Sequence, residues 1–405
     1  MSEKLTVPIR MVALGIYDGP HATPHEANEG PIFLGIKNVT PEGRLDLSET
    51  RHISEQDYPK WIKRITPQQD DIVFSYEATL HRYALIPEGF IGCLGRRMAL
   101  VRPDKNKIIP RFLFYYFLSP AWKTIIESNV INGATVDRIP IHKFPDFEVS
   151  IPSIITQTHI ASILSAYDDL IENNRRRIAL LEQAARLLYR EWFVQLRFPG
   201  HEHTPIIDGI PQGWEKKKYK DLFNFLNGYP FKSTTYQTHG RFGIVTIRNV
   251  HDAHFIPDCS SFLDFVPNNM KPHCFLSTGD ILLSLTGNVG RACIVYGDGF
   301  LLNQRVVKIV GEASIPRSFV YWTFSNEASQ LMLEKLAYGV AQLNLSSILL
   351  GEQDVLKPSS MLIEMFSDIC EPIFKQLCIL NIENRQLAQA RDLLLPRLMN
   401  GELVP

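Results

Sequence analysis

Two sets of polar segments in this chain carry side chains suited to hydrogen bonding with nucleic-acid bases rather than to breaking bonds. In the later set, Thr286-Gly287-Asn288-Val289-Gly290-Arg291 follows a β-like apolar run, Asn303-Gln304-Arg305 precedes another, and Arg248-Asn249 lies upstream. The earlier set holds Lys37-Asn38, then Thr79, His81 and Arg82, then Arg96-Arg97. Arg and Lys present donors that fit the guanine edge, Asn and Gln fit the adenine edge, and other donors hold phosphates. Gly287 and Gly290 read as turn residues that serve backbone conformation rather than as a phosphate cradle. A solvated loop or a capped turn would use the same residue types, so position must decide between the two roles.

Signals for catalysis are missing. The chain has no G-x-x-x-x-G-K-[ST] phosphate loop, no G-x-G-x-x-G turn, and neither Asn-Pro-Pro nor Asp-Pro-Pro. The histidine pairs His21/His25, His201/His203 and His251/His254 have spacings that could hold a metal. No cysteine pair accompanies them and Pro and Gly surround them, so solvated loops without a metal are expected. The six cysteines form no C-x-x-C and read as small core residues. Asp70-Asp71 at a strand start and Asp168-Asp169 on a helix face need no catalytic explanation. The expectation is a protein with no catalytic residue of its own.

The elements that carry the polar segments are written twice. Residues 110–193 align on 316–399 at a constant offset without a gap: Pro110-Arg111 falls on Pro316-Arg317, Tyr115 on Tyr321, Pro152 on Pro358, and Leu187-Leu188 on Leu393-Leu394. Upstream, with small shifts, Asp71-Ile72 matches Asp280-Ile281, Ser75 matches Ser284, and Gly35-Ile36-Lys37-Asn38-Val39 matches Thr246-Ile247-Arg248-Asn249-Val250. Each copy opens with short β-like runs, such as Ile72-Val73-Phe74 and Ile281-Leu282-Leu283, then turns helical through Phe112–Leu118 or Phe319–Phe324. The first copy gives no clear start before about Met11.

Each copy ends in a long helix with an apolar stripe at alternating four- and three-residue spacing. The first stripe is Tyr167, Ile171, Asn174, Ile178, Leu181, Ala185, Leu188 and Trp192; the second is Ile373, Leu377, Leu380, Asn384, Leu387, Arg391, Leu394 and Leu398. Each would also suit an amphipathic helix on a core, but its presence in both copies favours mutual packing as an antiparallel coiled coil. The polar Asn174 and Asn384 are of the kind that fix register. A first helix over about 155–195 would be roughly 60 Å long. Pro199-Gly200 should terminate it. Pro396 is expected to kink or end the second helix near Leu395, leaving Leu398 in a following turn.

Bulk properties agree with such an architecture. A chain of 405 residues, 45% hydrophobic and 21% charged, suggests two or three domains, with two the first expectation. A net charge of −1 argues weakly against a surface wholly devoted to nucleic acid, and is compatible with basic residues gathered on one face. No apolar run approaches the ~20 residues that span a bilayer, and Met1–Arg10 lacks a signal-peptide core, so a cytoplasmic protein is expected.

Several stretches resemble one family. Ile151-Pro152, Asp168-Asp169-Leu170-Ile171-Glu172-Asn173-Asn174-Arg175-Arg176, Leu181-Glu182-Gln183-Ala184-Ala185-Arg186 and Glu191-Trp192-Phe193 resemble the central conserved region of Type I restriction-modification specificity (S) subunits. Glu383-Asn384-Arg385 through Asn400-Gly401-Glu402-Leu403 resembles their C-terminal conserved region, and Ile210-Pro211-Gln212-Gly213-Trp214-Glu215 the entry to a target-recognition domain. The resemblance implies an α+β chain with an internal pseudo-two-fold duplication. Target-recognition domains at 1–150 and 206–356 would be separated by a central helix and linker at 151–205 and a C-terminal helix at 357–405. It also implies recognition of a split, asymmetric site on double-stranded DNA. The expected partners are methyltransferase subunits, two of them, and restriction/translocase subunits. S-adenosylmethionine, ATP and Mg would sit on those partners, with no cofactor on this chain. Two modules on a rigid spacer suit half-sites about 34–36 Å apart. A coiled-coil adaptor that binds no nucleic acid is the alternative, supported by the near-neutral charge. Opening at Met1 and closing just after the second helix, the chain is expected to lack fused catalytic domains.

Overall fold

A computed structural model describes residues 4–133, 136–339 and 343–403. The chain forms two compact units, the first from Met1–Leu170 with Leu387–Pro405 and the second from Ile171–Gln386. Each is a mixed α and β body, and they repeat one plan.

In the first unit, four antiparallel strands lie in the order Ala13–Asp18, Met98–Pro103, Ile72–Ser75, Tyr83–Leu85. The second unit repeats this with Phe223–Asn227, Val306–Gly311, Ile281–Ser284 and Ala292–Ile294. Ile72–Ser75 and Ile281–Ser284 are buried throughout, which explains why both sequences are continuous apolar runs rather than alternating ones. A second sheet in each unit contains one parallel pair, Ile32–Leu34 beside Gly92–Leu94 in the first and Gly243–Val245 beside Phe300–Leu302 in the second.

The first copy begins earlier than Met11. Leu5–Pro8 is a strand that pairs antiparallel with Glu148–Ile151, as Glu215–Lys218 pairs with Asp354–Lys357. The helices Pro110–Leu118 and Arg317–Phe324 fill the cores with aromatic side chains. Trp122 packs edge-on and tilted against Phe117, Phe144 and Phe147 in the first unit, and Tyr321, Trp322 and Phe324 are fully buried in the second.

The first long helix runs Ile154–Tyr189, continues through a π-helical turn at Arg190–Val194, and ends at Leu196 in a left-handed conformation (φ 58°) ahead of Pro199. The second runs Ser360–Asn400 and passes through Pro396 without ending, contrary to the sequence expectation; Leu398 lies inside it. Proline removes one backbone donor and costs about 3 kcal/mol in a helix interior. Leu395, Leu398 and Met399 are all buried in the first unit's core, and each such side chain contributes about 1.5–3 kcal/mol. That burial outweighs the proline.

Within each unit the helices pack antiparallel. In the first, Ile160, Ala161 and Leu164 share a core with Leu395, Leu398 and Met399, while Asp168 meets Arg391. In the second, Asn174 reaches Glu383 while Tyr189 and Trp192 pack on Phe366. Every stripe residue is buried or half-buried: Tyr167 in the first unit; Ile171, Asn174, Ile178, Leu181, Ala185, Leu188 and Trp192 in the second; Ile373, Leu377, Leu380 and Asn384 in the second; Leu387, Arg391, Leu394 and Leu398 in the first.

Candidate nucleic-acid interface

The polar segments fall on two adjoining turns and one hairpin loop in each unit, and backbone hydrogen bonds fix them in the same way. In the hairpin loop of the first unit, Ser75 N donates to Arg82 O at 3.0 Å, Ser75 Oγ donates to Thr79 O, and Ala78 N donates to Asp137 O at 3.0 Å. In the second unit Ser284 N donates to Arg291 O at 3.0 Å, Ser284 Oγ donates to Asn288 O, and Gly287 N donates to Leu343 O at 2.8 Å. Gly287 and Gly290 have φ of 74° and 84°, the left-handed conformation that makes glycine useful there. The first unit reaches the same conformation with Ala78 (φ 71°) and His81 (φ 61°), which L side chains adopt at a cost of roughly 1 kcal/mol or more each.

The turns that carry Arg96-Arg97 and Gln304-Arg305 also match bond for bond. Gly95 N donates to Leu34 O at 2.7 Å, Met98 N to Gly95 O at 3.0 Å, and Tyr76 N to Arg97 O at 3.2 Å. Their counterparts are Asn303 N to Val245 O at 3.1 Å, Val306 N to Asn303 O at 3.0 Å, and Leu285 N to Arg305 O at 3.2 Å. In the first unit Tyr76 adds a side-chain clamp, its hydroxyl donating to Arg96 O at 3.0 Å. Burial pushes that phenol up to about 12, so it remains a neutral donor.

These frames present Lys37, Thr79, Arg96 and Arg97 to solvent in the first unit, and Arg248, Asn288, Gln304 and Arg305 in the second. His81, Arg82 and Arg291 are half-buried. Burial, then the nearby Lys123 ammonium, holds His81 below the ordinary histidine range, which keeps it neutral. In the first unit Lys37, Arg96 and Arg97 line a cavity of about 340 Å³ together with Arg51, floored by Phe33, Ile36 and Met98. Arg51 stacks its guanidinium 5.1 Å from the Phe33 ring centroid. Sequence reasoning passed over Arg51, which lies in the strand Arg51–Ile53, outside the matched polar segments. Its signal, a cation beside the matched Lys37 turn, exists only in three dimensions.

Four expected contact residues face inward instead. Asn38 is 1% exposed: its Oδ1 accepts from Gly35 N at 3.0 Å, and its Nδ2 donates to Asp46 O and Glu49 O, both at 3.1 Å. Asn249 does the same work, accepting from Thr246 N at 2.9 Å and donating to Ile256 O at 2.8 Å and Asp258 O at 3.3 Å. Both amides hold the loop that follows and are spent inside the protein. Asn303 is buried with its Oδ1 accepting from Arg305 N at 3.3 Å, and Thr286 is buried as well. The amides of Asn38 and Asn249 offer no free edge to a base.

Among the described residues, no group of three or more His, Cys, Asp or Glu is arranged to hold a metal ion, and no helix is long and apolar enough to cross a membrane. The six cysteines are unpaired thiols, five of them buried.

The two units thus use one plan, with matched backbone frames and unlike exposed tips. Residues 32–183 match the family model described as the Type I restriction modification DNA specificity domain. The specificity subunit of the Type I restriction enzyme HindI from Haemophilus influenzae is 24% identical over 372 residues, covering 76% of this chain and 80% of that one. The MjaVIII specificity subunit from Methanocaldococcus jannaschii is 23% identical over 377 residues, 89% of this chain and 87% of its own. In fold, the chain is similar to the crystal structure of a Type-I restriction-modification system S subunit from M. genitalium, at a TM-score of 0.57 and 17% identity, covering 98% of this chain and 96% of that one. Residues 32–183 thus match a Type I restriction modification DNA specificity domain, and over most of its length the chain is similar to Type I restriction enzyme specificity subunits.

Proposed function

We propose that this chain reads a bipartite, asymmetric site on double-stranded DNA for a Type I restriction-modification enzyme, each unit contacting one half-site through its own pair of turns and hairpin loop. The reading is carried by one observation: matching backbone bonding holds Arg96-Arg97 and Gln304-Arg305 on equivalent turns, while the first exposed side chain of each turn differs, arginine in one unit and glutamine in the other. A conserved frame with variable tips is what two readers of different sequences require. Methyl transfer from S-adenosylmethionine and the ATP- and Mg-dependent steps belong, on this reading, to partner subunits. Two methyltransferase subunits dock on the long helices, with restriction/translocase subunits joining them in the cytoplasm. Exposed apolar residues on the outer faces of the helices, such as Leu180 and Leu393, support a docking role.

Gel-shift titration of the complex with its methyltransferase tests the proposal. Arg97→Ala and Arg305→Ala should each weaken binding to the cognate site by roughly 10-fold or more. Wild-type binding and modification by both folded variants would refute the assignment.

A further inference from the structure

If the two units read DNA, as proposed above, particular residues must make the two half-sites unlike. A residue that sets this difference must occupy the same place in both frames, differ between them, be exposed, and have no partner inside the protein.

The turn at 95–98 superposes in bonding on the turn at 303–306, so Arg96 stands where Gln304 stands, and Arg97 where Arg305 stands. The parallel strand pairs that feed the turns share their register, with Leu34 opposite Leu94 and Val245 opposite Leu302. All four side chains are exposed. Arg97 approaches Glu77 at 3.6 Å, whereas the side chains of Arg96, Gln304 and Arg305 have no hydrogen-bond or ion-pair partner among the described residues. The second position of the turn is thus arginine in both copies, and the first position is not.

Chemistry separates the two positions. A guanidinium presents two parallel donors that match guanine O6 and N7, while a carboxamide offers one donor and one acceptor that match adenine N7 and N6. An exposed arginine common to both frames serves equally as a phosphate contact, which carries no sequence information. The geometry points to Arg96 and Gln304 as the pair that distinguishes the half-sites, Arg96 reading a guanine and Gln304 an adenine at the equivalent step.

The proposal rests on the DNA-reading function, and its test separates the two. The full chain, bound to its methyltransferase, is used for selection from randomised duplexes and for methylome sequencing, with wild type, Gln304→Arg, Arg96→Gln and Gln304→Ala compared. Gln304→Arg should replace adenine by guanine at one position of one half-site and leave the other half-site unchanged. Arg96→Gln should make the opposite change in the other half-site. Gln304→Ala should lower discrimination at its single position by roughly 10- to 100-fold. Variants that modify DNA at the unaltered wild-type motif, or whose preference changes in both halves, would overturn the assignment while the DNA-reading function stands. A wild-type complex that selects no duplex would remove both.

Discussion

Asp168 on the first long helix accepts a hydrogen bond of 2.6 Å from Arg391 Nη1 on the second, and a further one of 2.6 Å from the Tyr115 hydroxyl. Arg391 occupies a stripe position where a leucine would otherwise stand, and is 8% exposed. One carboxylate therefore ties the reader domain's aromatic helix and both long helices together inside the first unit. Burial and the Asp168 carboxylate keep the Tyr115 phenol protonated far above its ordinary range, so it donates at any physiological pH. Breaking the pair from one side is costly, because the buried guanidinium keeps only its bonds of 2.9 and 2.8 Å to the exposed Asp392 carboxylate. Asp168 is itself about one-third exposed, so the penalty is reduced by solvent.

Asp168→Ala should cost roughly 2 kcal/mol and lower the melting temperature by about 4–8 °C. Pairing it with Arg391→Met should restore part of the loss, since the buried guanidinium left with only the exposed Asp392 as partner is gone. Differential scanning calorimetry of the single and double variants checks this; a double variant no better than the single would contradict it.

A pH dependence follows from Glu182. Burial, opposed by the Arg186 guanidinium and by a 2.9 Å hydrogen bond from the Tyr321 hydroxyl, raises its carboxyl to about 7, with Asp252 adding to the rise. In the unfolded chain this carboxyl ionises near its ordinary value of 4.5, whereas in the folded protein it keeps its proton until about pH 7. Between these limits the folded state binds more protons, so stability falls as pH rises through the window, on the order of 3 kcal/mol in all. Glu182→Gln should flatten this slope in urea unfolding measured from pH 4.5 to 8. An unchanged slope would show that Glu182 is not its source.

Asn38 and Asn249 each close a loop through a buried amide. Replacing either by alanine should cost roughly 2 kcal/mol, from several lost bonds and unpaired backbone groups. Hydrogen exchange should quicken at Asp46–Glu49 in one variant and at Ile256–Cys259 in the other, with the sequence preference of the complex unaltered. A changed preference with undisturbed exchange would return these residues to the DNA-contacting set.

Leu180 and Leu393 are 65% and 72% exposed, so lysine at either position should leave folding intact. If the outer helix faces dock the methyltransferase, Leu180→Lys and Leu393→Lys each weaken co-purification by 10-fold or more, since a charge replaces an apolar contact. Undiminished capture of the methyltransferase by both would place its docking surface elsewhere.

Much of the architecture was legible because it is periodic. The duplication shows in matched residues such as Tyr115 and Tyr321, and the helix seam in a stripe running from Tyr167 to Trp192. What was not legible depended on partners remote in sequence. Leu5–Pro8 becomes a strand only because Glu148–Ile151 lies beside it. Pro396 stays helical because Leu395, Leu398 and Met399 are pulled into a core that local rules do not see. Asn38 and Asn303 looked like Arg96 and Gln304, polar residues in turns, and nothing in a turn's composition says which of its amides face inward. The backbone bonds decide it, and they divide the polar set into a buried staple and an exposed tip.

Methylome sequencing of cells expressing this chain with its methyltransferase tests the central claim most directly. The double-reader account predicts one modified motif made of two unlike half-sites separated by a fixed stretch of unspecified bases. A single uninterrupted motif, or no modification that depends on this chain, would contradict it.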